Sequence, residues 1–302
     1  MAARSVGVIG LGSMGMGAAR SLLRAGFAVA ACDVRREALD AFAAAGGVPC
    51  ANPAELGAKA KVVVVFVVNA DQTETVLFGA NGAAATMAPG SVVMLCVTAA
   101  PDYAERLGER LAERGLLMLD APVSGGAAKA AAGEMSIMAS GAPAAFAACE
   151  DVLAAIATKV YRLGDRPGQG SKIKVINQLL AGVHIAAMAE AMALGIRAGC
   201  DPNVVYEVIS NSAGGSWMFQ NRAPHILAGD YTPLSAVNIF VKDLGIVLDS
   251  ARKLTFPLPL TAAAHQMFLA TSAHGHGGED DSAVIKMFQA LTGIELPEGA
   301  KT

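Results

Sequence analysis

The feature that most constrains this chain is a glycine-rich loop between an apolar segment and a helical segment. Ser5–Ile9 has the composition of a buried strand, and Gly10–Gly15 (GLGSMG) follows it directly. Met14–Ala25 has helical periodicity and ends before a glycine. In such a loop the first glycine permits a tight turn and the second lets a pyrophosphate approach the backbone, while the third allows close helix packing. The pattern predicts a dinucleotide-binding βαβ unit.

An acid at the end of the next predicted strand indicates which dinucleotide binds. Phe27–Cys32 has a strand pattern, and Asp33 follows it. An acid about 20 residues after the glycine loop binds the ribose hydroxyls of adenosine and would repel the extra phosphate of NADP. Arg35 and Arg36 lie nearby and weaken this preference. We therefore expect NAD as the cofactor.

Strands and helices alternate through the first half of the chain, and the second half contains helical patterns alone. Val62–Val68 is apolar at every position, as expected for a parallel strand covered on both faces. The alternation predicts a doubly wound α/β sheet. The glycine-rich stretch Gly164–Gly170 predicts the domain boundary. We expect a Rossmann-type NAD-binding domain over 1–165 and an all-helical substrate and oligomerisation domain over 166–302.

A long helix is predicted at the start of the second domain. Lys172–Ala198 is apolar on most of its faces, with Glu190 as its only acid. A helix that is apolar nearly all round has to be buried. One small helical domain would not cover it, so we expect a homodimer or homotetramer.

Composition and charge exclude several classes of protein. The 302 residues are 54% hydrophobic and 16% charged, which excludes a disordered chain. A net charge of −3 without a basic segment argues against nucleic-acid binding. The uncharged stretch between Glu74 and Asp102 is interrupted by Gly79–Gly82 and Pro89-Gly90, so we expect no membrane span there. The start of the chain lacks the clean apolar core of a secretory signal, which predicts a cytoplasmic protein.

Neither the cysteines nor the histidines form a metal-binding pattern. The five cysteines are odd in number and form no C-x-x-C pair, so no disulfide framework or zinc site is indicated. His184, His225 and His265 lack ligand spacing with a second histidine or cysteine. His274-Gly275-His276 is expected to be a solvated loop, and binding of a stray metal ion is the alternative. We predict that the site contains no metal.

Two further segments contain residues suited to the chemistry of a hydroxy acid. Ser124-Gly125-Gly126 follows a predicted strand, and its hydroxyl and exposed N–H groups could bind a carboxylate. Helical spacing places Lys174, Asn177 and Gln178 on one face of the long helix. A lysine among apolar neighbours can act as the general acid or base for a hydroxyl group. A capping or solvent-directed lysine is the ordinary alternative, and we expect that role for Lys172.

Four motifs in this order resemble the β-hydroxyacid dehydrogenase family, which includes 3-hydroxyisobutyrate and 6-phosphogluconate dehydrogenases, and the similarity covers essentially the whole chain. They are Gly10–Gly15, Asp120–Gly126, Gly168-x-Gly170-x-x-x-Lys174-x-x-Asn177 and Lys242-Asp243-Leu244. The resemblance implies that Lys174 is the general acid/base and that Ser124–Gly126 holds the substrate carboxylate. It places Thr98 near the nicotinamide. It also implies that Lys242 reaches the cofactor and the active site, oriented by Asp243.

These arguments give a full set of predicted site residues. Lys174 is the predicted catalytic residue. The predicted cofactor-binding residues are Gly10, Leu11, Gly12, Ser13, Met14, Gly15, Asp33, Val67, Val68, Asn69, Gln72, Thr98 and Lys242. The predicted substrate-binding residues are Ser124, Gly125, Gly126, Asn177, Gln178, Trp217, Arg222, Lys242 and Asp243.

The sequence also indicates a branch of the family. Many members have asparagine four residues after the lysine, whereas this chain has Gln178 there, which affects the expected size of the substrate. Ser216–Arg222 and Gly229–Pro233 resemble a branch that oxidises the C2 hydroxyl of L-threonate with NAD⁺. In that reading Trp217 walls the substrate pocket, and Asn221 or Arg222 bonds a polyhydroxy tail. Core packing is the alternative role for Trp217.

Other functions remain open at this point. Reduction of tartronate semialdehyde or oxidation of 3-hydroxyisobutyrate would use the same catalytic groups. A reducer of cyclic imines on the same fold usually replaces the lysine, so Lys174 argues against that activity. A non-catalytic dinucleotide-binding scaffold is disfavoured because Lys174, Ser124 and Lys242 are all present.

Overall fold

A computed structural model describes residues 4–298 of the chain. The chain divides into two compact units, Met1–Lys174 and Val175–Thr302. The sequence-based boundary falls before the long helix, whereas the division of the structure falls inside it. The reason is that the first turn of this helix is hydrogen-bonded to strands of the first unit.

The first unit is built on a six-stranded parallel sheet in the order β3-β2-β1-β4-β5-β6. This strand order confirms the predicted doubly wound fold, in which the order reverses next to β1. The strands are β1 (Ser5–Ile9), β2 (Ala28–Cys32), β3 (Val48–Pro49), β4 (Val62–Val65), β5 (Val92–Leu95) and β6 (Leu117–Asp120).

Helices cover both faces of this sheet, which explains the uninterrupted valines of β4. Val62 and Val64 pack into one hydrophobic cluster with Leu22, whereas Val63 and Val65 pack into another. Successive strand residues face opposite sides, so both faces need apolar residues. The helices are α1 (Ser13–Arg24), α2 (Arg36–Ala44), α3 (Pro53–Gly57), α4 (Ala70–Phe78), α5 (Pro101–Ala112), α6 (Gly126–Ala132) and α7 (Pro143–Ile156).

A small three-stranded sheet completes the first unit. Its strands are β7 (Val123–Ser124), β8 (Met135–Ala139) and β9 (Ala157–Arg162). Strand β8 pairs antiparallel with β7 and parallel with β9. A bridge between Asp120 and Ser140 links the ends of β6 and β8. Ser124 therefore lies on the neighbour of β8, four residues along the chain from the end of β6.

The second unit is helical, and its described part, 175–298, contains no β-strand. Its core includes Ile185, Met192 and the stacked rings of Phe240 and Phe268, whose centroids lie 5.2 Å apart. The helices are α8 (Gln169–Arg197), which begins in the first unit, α9 (Pro202–Ser210), α10 (Trp217–Ala228), α11 (Val237–Lys253), α12 (Pro259–Thr271) and α13 (Ile285–Thr292).

Helix α8 is incompletely covered within the chain. By length and composition alone it could cross a membrane, a test that core helices of soluble proteins also pass, and 39% of its most apolar window is buried. Ile176, Leu180 and Leu194 are exposed along it.

Candidate active site

The loop between β1 and α1 has the backbone geometry that a dinucleotide needs. Gly10 has φ +90°, and a Cβ there would lie 2.7 Å from the Phe66 carbonyl oxygen. A Cβ at Gly15 would lie 1.9 Å from the Gly10 oxygen, so both positions require glycine. Gly12 faces open space, and α1 begins there without a side-chain cap. The free N–H groups at this helix start fit a pyrophosphate.

Asp33 lies at the carboxyl end of β2 with its carboxylate fixed by the loop. Oδ2 accepts a hydrogen bond from the Leu11 N–H at 2.6 Å, and Oδ1 accepts one from the Arg35 N–H at 2.8 Å. The Arg35 guanidinium also contacts Oδ1, at 3.1 Å from Nε. Burial opposes ionisation of Asp33, but the hydrogen bonds from Arg35 and Leu11 outweigh it and lower the pKa of this carboxyl. The acid is therefore charged at neutral pH.

The segment after β4 forms a second edge of the predicted cofactor site. The strand ends at Val65, so the predicted strand Val62–Val68 is too long. Val68 is exposed, and its N–H donates to Gln72 Oε1 at 2.9 Å. Asn69 caps α4 by accepting from the Gln72 N–H. These two hydrogen bonds hold the loop between β4 and α4 in place, so Asn69 and Gln72 bond to the loop itself.

Ser124, Gly125 and Gly126 join β7 to α6 in a conformation that glycine permits. Gly125 has φ +132° and Gly126 has φ +74°. A Cβ at Gly126 would meet no atom within 4 Å, so its backbone is open to a small ligand. Ser124 is half-buried at the end of β7. Thr98, also half-buried, follows β5 at the same edge of the main sheet as Asp33 and Val67.

Lys174 lies one turn into α8, and only 7% of its surface is exposed. Its Nζ donates a hydrogen bond to the carbonyl oxygen of Val123 at 2.8 Å. Val123 precedes Ser124, so the amine lies beside the segment predicted to hold a carboxylate. The neighbouring Lys172 is exposed and pairs with Glu105 at 3.0 Å, as predicted for a lysine without a catalytic role.

In the second unit a chain of polar contacts joins four predicted site residues. Asn177 Nδ2 donates to Gln178 Oε1 at 2.9 Å, and Gln178 Nε2 donates to Asp243 Oδ2 at 2.5 Å. Lys242 Nζ lies 2.6 Å from Asp243 Oδ1. This contact is an ion pair. The longer side chain at position 178 is thus used to reach a buried carboxylate.

Trp217 and Arg222 have different surroundings. Trp217 is 53% exposed at the start of α10, so it is not a core residue of its unit. Arg222 is buried, with Nε 2.6 Å from Asp281 Oδ1. This ion pair explains why Arg222 can be buried. Its role as a substrate ligand stays a prediction. Asn221 Oδ1 accepts a further hydrogen bond from this guanidinium.

Asp120 has no role predicted from the sequence, although it is the first residue of the Asp120–Gly126 motif. The structure buries its carboxyl against the start of α8. A charged residue at the end of a strand in an otherwise apolar segment was the available signal.

The fold and these groups define an NAD-binding oxidoreductase that acts on hydroxy acids. Two family profiles agree: "NAD binding domain of 6-phosphogluconate dehydrogenase" matches residues 5–164, and "NAD-binding of NADP-dependent 3-hydroxyisobutyrate dehydrogenase" matches residues 168–288. The chain belongs to the β-hydroxyacid dehydrogenase family. Its substrate is a small hydroxy acid.

Individual relatives cover nearly the whole chain. An L-threonate dehydrogenase of Cupriavidus necator is 69% identical over 99% of both chains. Another, from Escherichia coli K12, is 54% identical over 98% of this chain and 97% of the relative. A crystal structure described as 3-hydroxyisobutyrate dehydrogenase from Salmonella typhimurium is 53% identical with a TM-score of 0.90, covering 94% of this chain and 99% of that one.

Proposed function

We propose that this protein oxidises the C2 hydroxyl of L-threonate to 2-dehydro-L-erythronate with NAD⁺, and that Lys174 is the general acid/base. The observation that supports the proposal most directly is the buried Lys174 amine, 2.8 Å from the Val123 carbonyl oxygen and beside Ser124–Gly126. The similarity to two L-threonate dehydrogenases over nearly the full length supports the choice of substrate.

The residues of the first unit divide the chemistry between them. Bound NAD⁺ would accept the hydrogen of the carbinol carbon together with its bonding electrons. Lys174, as the neutral amine, takes the proton of the hydroxyl group and returns it in the reverse direction. The Val123 carbonyl orients this amine. The Ser124 hydroxyl and the N–H groups of Gly125 and Gly126 bind the substrate carboxylate.

Asp33 supports NAD over NADP. Its carboxylate accepts from two backbone N–H groups, and its lowered pKa keeps it charged. A fixed negative charge where the adenosine ribose binds would repel a 2′-phosphate and accept hydrogen bonds from free hydroxyls. Arg35 is already engaged by Asp33 and by the Leu11 carbonyl oxygen, at 2.9 Å from Nη2. It is therefore poorly placed to favour a phosphate.

A second candidate substrate is 3-hydroxyisobutyrate. The solved structure described with that activity matches this fold with a TM-score of 0.90. Tartronate semialdehyde, in the reductive direction, would need the same groups. Initial rates of NADH formation with L-threonate, D-threonate, D-erythronate, D-glycerate and 3-hydroxyisobutyrate, each with NAD⁺ and NADP⁺, separate these substrates. We expect the highest kcat/KM for L-threonate with NAD⁺, and a preference for another acid would replace the proposed substrate.

The role of Lys174 is tested by Lys174→Met, which keeps an unbranched side chain in the buried position. Because general acid–base catalysis contributes about 10²- to 10⁴-fold, we expect kcat to fall by about 10³-fold. The variant should still bind NAD⁺, and this binding can be measured by quenching of protein fluorescence. Lys172→Met on the same helix is the matched control and should change kcat by less than about twofold, because its exposed ion pair contributes little. Full turnover by folded Lys174→Met would refute the mechanism.

We also propose that the protein is a cytoplasmic homo-oligomer, a homodimer or homotetramer. The partly covered helix α8 supports this, since Ile176, Leu180 and Leu194 leave apolar surface exposed. Light scattering after gel filtration measures the subunit number, and a monomer at micromolar concentration would contradict the proposal.

A further inference from the structure

We propose that Asp120 is a positioning residue for Lys174: its buried carboxyl fixes the start of α8 on the sheet, and thereby the amine beside the Val123 carbonyl. The inference rests on the proposed function of Lys174. It concerns contacts within the first unit alone, between the segment that follows β6 and the first turns of α8.

The carboxyl of Asp120 is bonded almost entirely to the start of α8. Oδ2 accepts from the Gly168 N–H at 2.8 Å and from the Ser171 N–H at 2.9 Å. Oδ1 accepts from the Ser171 hydroxyl at 2.8 Å. The side chain is fully buried. The four donors, with the Ser140 hydroxyl at 3.3 Å from Oδ2 as the last, are all neutral.

These bonds cap the helix from a distance in sequence. The first N–H groups of a helix have no partner within it, and most helices use a residue just before the first turn to accept from them. Here Asp120 accepts from Ser171, 51 residues away, and Ser140 Oγ accepts from the Gly170 N–H at 2.9 Å. A carboxylate is also favourable at the positive end of a helix of 29 residues. These bonds therefore satisfy the first N–H groups of the helix and also attach the helix to the sheet.

The first turn of α8 packs closely against the small sheet and has little room to move. A Cβ at Gly170 would lie 2.3 Å from the Met138 carbonyl oxygen, so the first turn of α8 lies directly on β8. One turn further on, Lys174 donates to the carbonyl oxygen of Val123, three residues after Asp120. The segment 120–123 thus contacts α8 both at its start and at the reacting amine.

The expected cost of losing the carboxyl follows from this arrangement. Without Asp120, the N–H groups of Gly168 and Ser171 are buried without an acceptor, and the turn has to shift to find water. Because a misplacement of about 1 Å can cost about 10²-fold in rate, a shift of a few tenths of an ångström at Lys174 should lower kcat measurably. Binding of NAD⁺ depends on other residues and should be spared.

The experiment compares Asp120→Ala with Asp120→Asn. An asparagine can accept both N–H bonds with its carbonyl oxygen and donate its amide to the Ser171 hydroxyl, so the geometry is retained. We expect kcat to fall about 30-fold in Asp120→Ala and less than about threefold in Asp120→Asn, with KM for NAD⁺ within about threefold in both. Rescue by asparagine, together with the split between kcat and KM, is the signature of positioning.

Asn52→Ala is the matched control for a lost helix cap. Asn52 Oδ1 accepts from the Glu55 N–H at 2.9 Å at the start of α3 in the same unit. Its removal should lower Tm while leaving kcat unchanged, because α3 supplies no predicted site residue. If Asp120→Ala does not fold, Ser171→Ala removes only the hydroxyl bond to Oδ1 and should lower kcat by about threefold.

Unchanged kcat in folded Asp120→Ala, or in Ser171→Ala where the former does not fold, would overturn the positioning role. Equal losses in Asp120→Ala and Asp120→Asn would also overturn it. These failures are distinct from failure of the proposed function, because that is decided by Lys174→Met. An inactive Lys174→Met with a fully active Asp120→Ala would retain the general acid/base and remove only the inference about Asp120.

Discussion

Asp120 in the first unit and Asp243 and Asp281 in the second show two ways of satisfying a buried carboxylate. Within residues 4–298, Asp120 of the first unit accepts from neutral donors, which are the N–H groups of Gly168 and Ser171 and two serine hydroxyls. In the second unit, Asp243 lies 2.6 Å from the ammonium of Lys242. Asp281 in that unit likewise lies against a guanidinium.

This difference separates two uses of a carboxyl group. Neutral donors need an acceptor in the right place, and an amide oxygen can take that place at low cost. A buried cation needs the charge itself, and its removal leaves the cation uncompensated. Burial raises the pKa of Asp120, and hydrogen bonds from Ser171 and Gly168 offset part of that rise. Asp120 acts by geometry, whereas Asp243 and Asp281 act by charge.

The largest expected effect is on stability, in Arg222→Ala. This change leaves Asp281 buried without its cation, and removal of one partner of a buried pair costs about 3–5 kcal/mol. We expect the free energy of unfolding, measured in urea, to fall by about 3 kcal/mol at pH 8. Arg252→Ala is the control, because its pair with Asp249 is exposed and should be worth less than about 1 kcal/mol.

The sign of the pH dependence sharpens this test. Burial raises the pKa of Asp281 to about 6, although Arg222 opposes the rise. A folded-state pKa above the unfolded value means that the stability contributed by this carboxyl is present at low pH and is lost as pH rises through about 6. Loss of Arg222 raises the folded pKa further, so the variant should be more destabilised at pH 8 than at pH 5. An equal loss at both pH values would contradict the charge argument.

The next effect is on activity, in Asp243→Asn. An asparagine can still accept from Gln178, but it leaves Lys242 without its counter-charge. A charge-assisted contact contributes about 1.5–3 kcal/mol, so we expect kcat/KM to fall about tenfold. The same substitution at Asp120 should cost less than about threefold, as argued above. Steady-state kinetics of both variants, with Asp249→Asn on the surface of α11 as control, test the comparison. Equal losses of kcat/KM in Asp120→Asn and Asp243→Asn would contradict the distinction between geometry and charge.

The elements that follow from periodicity were predictable from the sequence. The β1 strand, the Gly10–Gly15 loop and α8 were expected within a few residues of their observed bounds, because strand, turn and helix signals are local there. The end of β4 was not predictable, because the residues of Phe66–Val68 are apolar like the strand but lie in a loop. Helix α6 was not among the predicted elements, because a run of alanines has no amphipathic pattern.

The candidate site divides in the same way. Lys174 and Ser124–Gly126 were predicted as site residues from residue type and spacing. The contacts of Asp120 with Ser171 and of Gln178 with Asp243 were not predicted, because the partners are 51 and 65 residues apart in sequence. Such contacts depend on how strands and helices pack, and no local pattern encodes them. Once the fold is known, Asp120 at the end of β6 and Gln178 on α8 become interpretable.

A smaller effect than in Asp243→Asn is expected in Asp33→Asn, because the Asp33 carboxylate is bonded both to neutral N–H groups and to a guanidinium. Its backbone donors, the N–H groups of Leu11 and Arg35, can be retained by an amide oxygen, whereas the Arg35 guanidinium loses its charge partner. We expect KM for NAD⁺ to rise about fivefold and KM for NADP⁺ to fall, since one charge near the ribose site is worth about 1 kcal/mol. Asp40→Asn, at an exposed pair with Arg36, is the control.

The pH dependence of this preference has the opposite sign to that of Asp281. Because the pKa of Asp33 is lowered in the folded protein, its charge is present above the ordinary carboxyl range and is lost only as pH falls through the lowered value. The contribution of Asp33 to KM for NAD⁺ in the unaltered protein should therefore stay constant above about pH 5. An unchanged ratio of the two KM values in Asp33→Asn would show that the charge of Asp33 is not what selects the cofactor.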